Sequence, residues 1–150
     1  MLRQALSELF IQTEGEGFTD ITHLIQAELT QSSLCTGMCL VVAKHTSCSL
    51  TINENADPRV LVDLAAYLRA LVPQEGVRPI SGHGCLQTYR HNDEGPDDMP
   101  AHIRTALTAT TLSLSFDQGQ LLLGTWQAVY LWEHRARSHR RQLSLHLIGE

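Results

Sequence analysis

A two-residue rhythm of apolar and polar side chains recurs along this chain, and it constrains the fold more than any other feature. Thr111-Leu112-Ser113-Leu114-Ser115-Phe116 keeps the rhythm, and Cys48, Leu50 and Ile52 keep it between Ser47, Ser49 and Thr51. It is the period of an extended strand, whose successive side chains point to opposite faces. Further strands are predicted over Leu6–Thr13, over Gly37–Ile52 as one or two, within Leu121–Arg135, and over Gln142–Ile148. In the Leu121–Arg135 segment, Trp126, Ala128, Tyr130, Trp132 and His134 would share one face. Gln127, Val129, Leu131, Glu133 and Arg135 would share the other.

Helical signals punctuate the strands. Ile21, Leu24, Ile25 and Leu29 fall near helical spacing in Asp20–Leu29. Asp57-Pro58 is the clearest start: the carboxylate accepts from free amides, and proline occupies the first turn, where its missing N–H is not needed. Val60, Leu61, Leu64, Leu68 and Leu71 then form one apolar stripe until Pro73. Asp98-Met99-Pro100 opens a third helix that runs through Leu107. Strands and helices come without regular βαβ alternation, so the expected class is α+β, a mainly antiparallel sheet packed by two or three helices.

No repeat, linker or low-complexity stretch divides the 150 residues, and residues 1–150 read as one domain. No apolar run approaches the roughly 20 residues that span a bilayer. A net charge of −5 argues against general nucleic-acid binding. Charges interrupt Met1-Leu2-Arg3-Gln4-Ala5-Leu6-Ser7-Glu8, which therefore lacks the apolar stretch of a signal peptide, and a cytoplasmic location is expected. Cys35, Cys39, Cys48 and Cys85 have no C-x-x-C spacing and are expected to be buried thiols.

Eight histidines stand out against only eight aromatic Phe, Trp and Tyr residues. His91 and His102 flank a segment that packs Asp93, Glu94, Asp97 and Asp98 into six positions. Such crowding is unfavourable without a cation; the segment is either a solvated acidic loop or part of a metal site. Imidazole is the commonest metal-binding side chain, and carboxylates act as ligands or orient the imidazoles. His45, beside Thr46 and Ser47, and His134, beside Arg135, are further candidate ligands, or else hydrogen-bonded structural histidines. His23, His83, His139 and His146 have less polar context and stay outside the expected site. Arg135, Arg137, Arg140 and Arg141 form a basic patch, either a solvated sheet edge or a place to capture phosphate or carboxylate.

Three stretches carry a more specific likeness. They are His45-Thr46-Ser47-Cys48-Ser49-Leu50-Thr51-Ile52-Asn53-Glu54-Asn55-Ala56-Asp57-Pro58, Tyr89-Arg90-His91 with Glu94-Gly95-Pro96-Asp97-Asp98-Met99-Pro100-Ala101-His102, and Leu123-Gly124-Thr125-Trp126-Gln127 through Glu133-His134-Arg135. In order and spacing the chain resembles the YjbQ-like family. The resemblance implies an α+β fold with a β-sheet pseudo-barrel or sandwich packed by helices, a homotrimer, and a histidine-rich metal site near a subunit boundary. It also implies thiamine-phosphate synthase activity, in which a pyrimidine diphosphate joins a thiazole phosphate with release of pyrophosphate. The family's recurrent polar residues fall on His45, Thr46, Ser47, Asn53, Glu54, His91, Asp98, His102, His134 and Arg135; Cys48 and Trp132 depart from the usual residues.

The expected site follows from these residues together. His91, His102 and His134 hold a divalent cation, zinc first, with magnesium or manganese as alternatives. His45, Glu54 and Asp98 are the catalytic candidates, while Thr46, Ser47, Asn53 and Arg135 steady the substrate's phosphate. The expected protein is a metal-dependent enzyme acting on a phosphorylated small molecule, with thiamine-phosphate synthesis as its reaction. The alternatives are a metal-dependent phosphoester hydrolase and a non-catalytic trimer that binds metal or metabolite; no membrane or nucleic-acid partner is expected.

Overall fold

A computed structural model describes all 150 residues. In chain order the elements are β1 (Arg3–Gln12), β2 (Gly17–Asp20), α1 (Thr22–Ser32), β3 (Gly37–Ala43), β4 (Cys48–Glu54) and α2 (Pro58–Leu71). They continue with α3 (Asp98–Leu107), β5 (Thr111–Asp117), β6 (Gln120–Leu121), β7 (Gln127–Glu133) and β8 (Arg140–Gly149). A five-stranded sheet has the order β1-β8-β3-β5-β6, and a three-stranded sheet has the order β2-β7-β4. Every strand pair is antiparallel, so the class is α+β as expected, with the sheets curled into a half-barrel and three helices.

The stretch from Gly37 to Ile52 is two strands, and they belong to different sheets. Lys44-His45-Thr46-Ser47 is the crossing between them. β2 has no counterpart in the sequence reading, which starts a helix at Asp20. Four residues carry too little alternation to announce a strand, and β2 exists by pairing with β7, Phe18 opposite Trp132 and Asp20 opposite Tyr130. No helix is long and apolar enough to cross a membrane.

Inward residues of both sheets meet in one core. Leu9 and Ile11 of β1, Cys39 and Val41 of β3, and Leu143, Leu145 and Leu147 of β8 pack with Leu50, Val129 and Leu131. Ile25 and Leu29 of α1 join the same cluster. Each such side chain contributes roughly 2 kcal/mol by leaving water.

β7 is buried on its other face too. Ala128, Tyr130 and Trp132 are buried outside the main cluster, with Phe18 stacked on Trp132 at 4.4 Å between ring centres. α2 and α3 pack on β4; Leu68 of α2, Val72 just past its end and Ala101 of α3 are buried and also lie outside the main cluster.

The start of α2 follows the sequence logic: Asp57 Oδ1 accepts from the Arg59 backbone N–H at 3.0 Å, and Pro58 opens the helix. All four cysteines are free thiols. Cys39 and Cys48 are buried, and burial pushes both thiols up to about 11. Cys35 and Cys85 are exposed, against expectation, because both lie in connections outside the strands.

Candidate metal centre

Backbone pairing brings the site together. Cys48 of β4 pairs with Glu133 of β7, so the residues just before β4 and just after β7 run side by side, and the His134 N–H donates to the Ser47 carbonyl at 3.3 Å. α3 packs against β4, which sets Asp98 and His102, one helical turn apart, over this edge.

Asp98 is buried at 1% exposure. Its Oδ1 accepts from Arg135 Nη1 at 2.8 Å and lies 3.4 Å from His102 Nε2. Its Oδ2 lies 2.7 Å from His91 Nε2 but has no aligned hydrogen bond. The ligand-capable atoms of His91, Asp98 and His102 all fall within 4.8 Å of one another.

His102 Nδ1 lies 2.8 Å from the Thr46 carbonyl oxygen. A carbonyl only accepts, so this contact puts a proton on Nδ1 and turns Nε2 toward Asp98. Thr46 thus serves through its backbone, fixing the ring.

The acidic loop is folded around one guanidinium. Arg135 donates from Nε to Asp97 Oδ2 at 2.9 Å, from Nη1 to Asp98, and from Nη2 to the Glu94 carbonyl at 2.9 Å. Burial opposes ionisation of Asp97, yet the Ala136 N–H and Arg135 hold its carboxyl below the usual carboxylate range. The cation that relieves the crowded acids is therefore Arg135 itself. Its donors face the loop.

His134 is buried and stands apart from the three-residue group. Its Nε2 lies 2.8 Å from Ser49 Oγ, its ring packs 5.0 Å from that of Trp132, and its Nδ1 is buried without a partner. Burial first, then the charge of Arg104, lowers it to about 3, so it is a neutral core imidazole at ordinary pH.

His45 also lies outside the group. The Gln142 N–H donates to its Nε2 at 2.7 Å, and burial followed by the Arg141 charge lowers its pKa. Ser47 Oγ accepts from Arg141 Nη2 at 2.9 Å, which ties it to the interior.

Asn53 and Glu54 sit at the far end of β4, roughly 20 Å along the strand from Cys48. Asn53 Oδ1 accepts from the Glu54 N–H at 2.9 Å, while Glu54 Oε1 accepts from the Ala56 and Asp57 N–H groups at 3.3 and 3.4 Å. Both order the turn into α2; within one chain they do not reach His91.

One supporting residue escaped the sequence reading. Glu133, 1% exposed, is paired with Arg141 and accepts from Thr13 Oγ1 at 2.7 Å and from the His134 and Arg135 N–H groups. Burial raises its pKa, but Arg141 and Thr13 outweigh burial and hold it low. The signal was its face: a carboxylate that alternates with Val129 and Leu131 on a core-facing strand needs a buried partner.

Comparison with known proteins identifies the family of the chain. The family described as "UPF0047 protein YjbQ-like" matches residues 7–150. The chain belongs to the YjbQ-like UPF0047 family. A UPF0047 relative from Synechocystis is 48% identical over 99% of this chain and 94% of its own length. A UPF0047-type fold also recurs among solved structures. A conserved hypothetical protein from Thermus thermophilus is 35% identical with a TM-score of 0.75, covering 93% of this chain and 97% of that one. A YbjQ-like protein of unknown function from Sulfolobus solfataricus shares the fold with a TM-score of 0.85 at 18% identity, each chain fully covered.

Proposed function

We propose that this UPF0047 protein is a divalent-metal enzyme acting on a phosphorylated small molecule, with His91, Asp98 and His102 as the protein ligands. The observation that carries the reading is the convergence of those three side chains within 4.8 Å. Two details fit a cation there. Asp98 Oδ2 is buried without an aligned donor, and His102 Nε2 faces Asp98 Oδ1 at 3.4 Å. With a neutral His102 ring, a cation held between Nε2 and the carboxylate would satisfy both. Two nitrogens to one oxygen favour zinc, with manganese next, over the oxygen-loving magnesium.

When bound, such a cation stabilises charge that develops on phosphoryl oxygens. The chain's own residues orient the ligands: Arg135 holds Asp98, and the Thr46 carbonyl holds His102. The His91 side chain is half-exposed and leaves that side open to substrate, along a cleft lined by Gln74, Tyr89 and Asn92.

The first reaction to test is transfer of the pyrimidine group of a pyrimidine diphosphate onto a thiazole phosphate, with pyrophosphate leaving. With zinc or manganese restored, thiamine phosphate is expected to form, and Asp98→Asn to lose ~10–100-fold in rate, the usual cost of disturbing a carboxylate at a metal site. Open access for water at His91 supports phosphoester hydrolysis as the second reading, so a phosphomonoester and phosphodiester panel runs in parallel. Metal-loaded protein inert toward both precursors and panel would overturn the enzyme reading in favour of a metal-binding protein.

A homotrimer is part of the same proposal. No helix covers the outer face of the five-stranded sheet, where Leu6, Phe10, Met38 and Leu40 are exposed and Leu6 and Leu40 both pair with His146. Such a patch is the mark of an association surface. Light scattering is expected to give about three times the 16.7 kDa chain mass, and Leu40→Glu to give monomers. A native monomer would overturn it.

A further inference from the structure

A second cleft, of different lining from the metal centre, lies between Arg69 and Pro73 at the end of α2, Pro100 and Arg104 of α3, and Glu16 of the turn between β1 and β2. Its two guanidinium groups are poorly balanced. Arg104 is buried at 7% exposure. Its Nη2 donates to the Val72 carbonyl at 3.1 Å, its Nη1 reaches Glu16 Oε2 only at 3.5 Å, and its buried Nε has no partner. Arg69 Nη1 donates to Glu16 Oε1 at 2.8 Å.

One carboxylate therefore serves two guanidinium groups. Of the other acids that line the cleft, Asp97 is engaged by Arg135 and the Ala136 N–H, and Glu75 is exposed and makes no ion pair. A guanidinium taken out of water is stable only when its donors are matched, and its planar fork matches oxyanions best. Glu16 matches Arg104 badly.

The presentation of Glu16 is also unlike that of a fixed structural acid. It sits between Gly15 at φ +126° and Gly17 at φ +151°, backbone regions that side-chain-bearing residues rarely adopt. Glycine on either side removes the Cβ restriction on the backbone that flanks the carboxylate.

We propose that Arg69 and Arg104 form a binding site for a phosphate-type oxyanion, and that Glu16 is an internal placeholder which the ligand displaces. A phosphate group brings more acceptor oxygens and more negative charge than one carboxylate, so it matches both forks at once. The site uses none of the proposed metal ligands, so it stands or falls independently of the metal-enzyme reading.

The test is titration of the full-length protein with inorganic phosphate at constant ionic strength in chloride and chelator, followed by calorimetry and by the arginine side-chain N–H signals in NMR. Glu16→Gln removes the competing charge and is expected to bind phosphate about tenfold tighter than the native chain. Arg69→Ala, at a half-exposed side chain, is expected to lose the binding and the shift of the Arg104 signal. A protein with both His91 and His102 changed to alanine keeps the phosphate affinity, which separates this cleft from the metal centre. The proposal is overturned if Glu16→Gln binds phosphate no tighter than the native chain, or if Arg69→Ala binds it equally well.

Discussion

Acidification from pH 6.5 to pH 3 is expected to remove roughly 5 kcal/mol of folding stability through one imidazole, His134. The folded chain holds this group at about 3 because burial disfavours its charged form and Arg104 adds repulsion, against an ordinary value of 6.5. The sign follows from proton counting. Below pH 6.5 the unfolded chain takes up the proton and the folded chain does not, so protonation pulls the equilibrium toward unfolding. The contribution is whole above 6.5, falls by about 1.4 kcal/mol per pH unit, and is gone near pH 3. His45, also lowered, adds to the slope in the same window. Glu133 and Asp97, which are held low, act only as pH falls below the usual carboxylate range. Urea midpoints between pH 6.5 and 5 therefore isolate the imidazoles. His134→Gln, which keeps a partner for Ser49, is expected to flatten most of that slope; a native protein with equal stability at pH 6.5 and 5 would rule the account out. A loss of this size matches the whole stability of a marginal domain.

The acid sensitivity of His134 was half legible in the sequence. Strand alternation put it on one face with Ala128, Tyr130 and Trp132, and all four are buried. The same alternation puts Trp126 on that face, yet it is exposed, because the strand begins only at Gln127. The alternation does not reveal what covers a face, and an imidazole buried against Ser49 reads the same as one at a metal until β4 is paired with β7. The loop from His91 to His102 shows the same division. Its composition announced a need for positive charge, and spacing along the helix put Asp98 and His102 one turn apart. Arg135 meets that need from 37 residues away through a pairing of β4 and β7 that no local pattern encodes. Asn53 and Glu54 mislead for the opposite reason. They lie close to His45 in sequence, but a strand is straight, and six steps along it carry a residue out of reach.

Replacing Arg135 with methionine is expected to cost about 3–5 kcal/mol, the usual penalty when one partner of a buried ion pair is removed. The substitution keeps the aliphatic stem and deletes three donated hydrogen bonds, to Asp97, Asp98 and the Glu94 carbonyl. Asp98, at 1% exposure, then lies buried with no matching cation, beside a second carboxylate on the preceding residue. Zinc provides the missing charge if His91, Asp98 and His102 are its ligands. The zinc-induced rise in melting temperature is then expected to be larger in Arg135→Met than in the native protein, even though the metal-free variant melts lower. Were Arg135 a substrate-phosphate ligand, as its place in a basic cluster suggested, the outcome would be the reverse: stability near native, an unchanged response to zinc, and a raised KM for the phosphorylated substrate. Thermal melts of the two proteins with and without zinc distinguish an arginine that builds the site from one that binds what enters it.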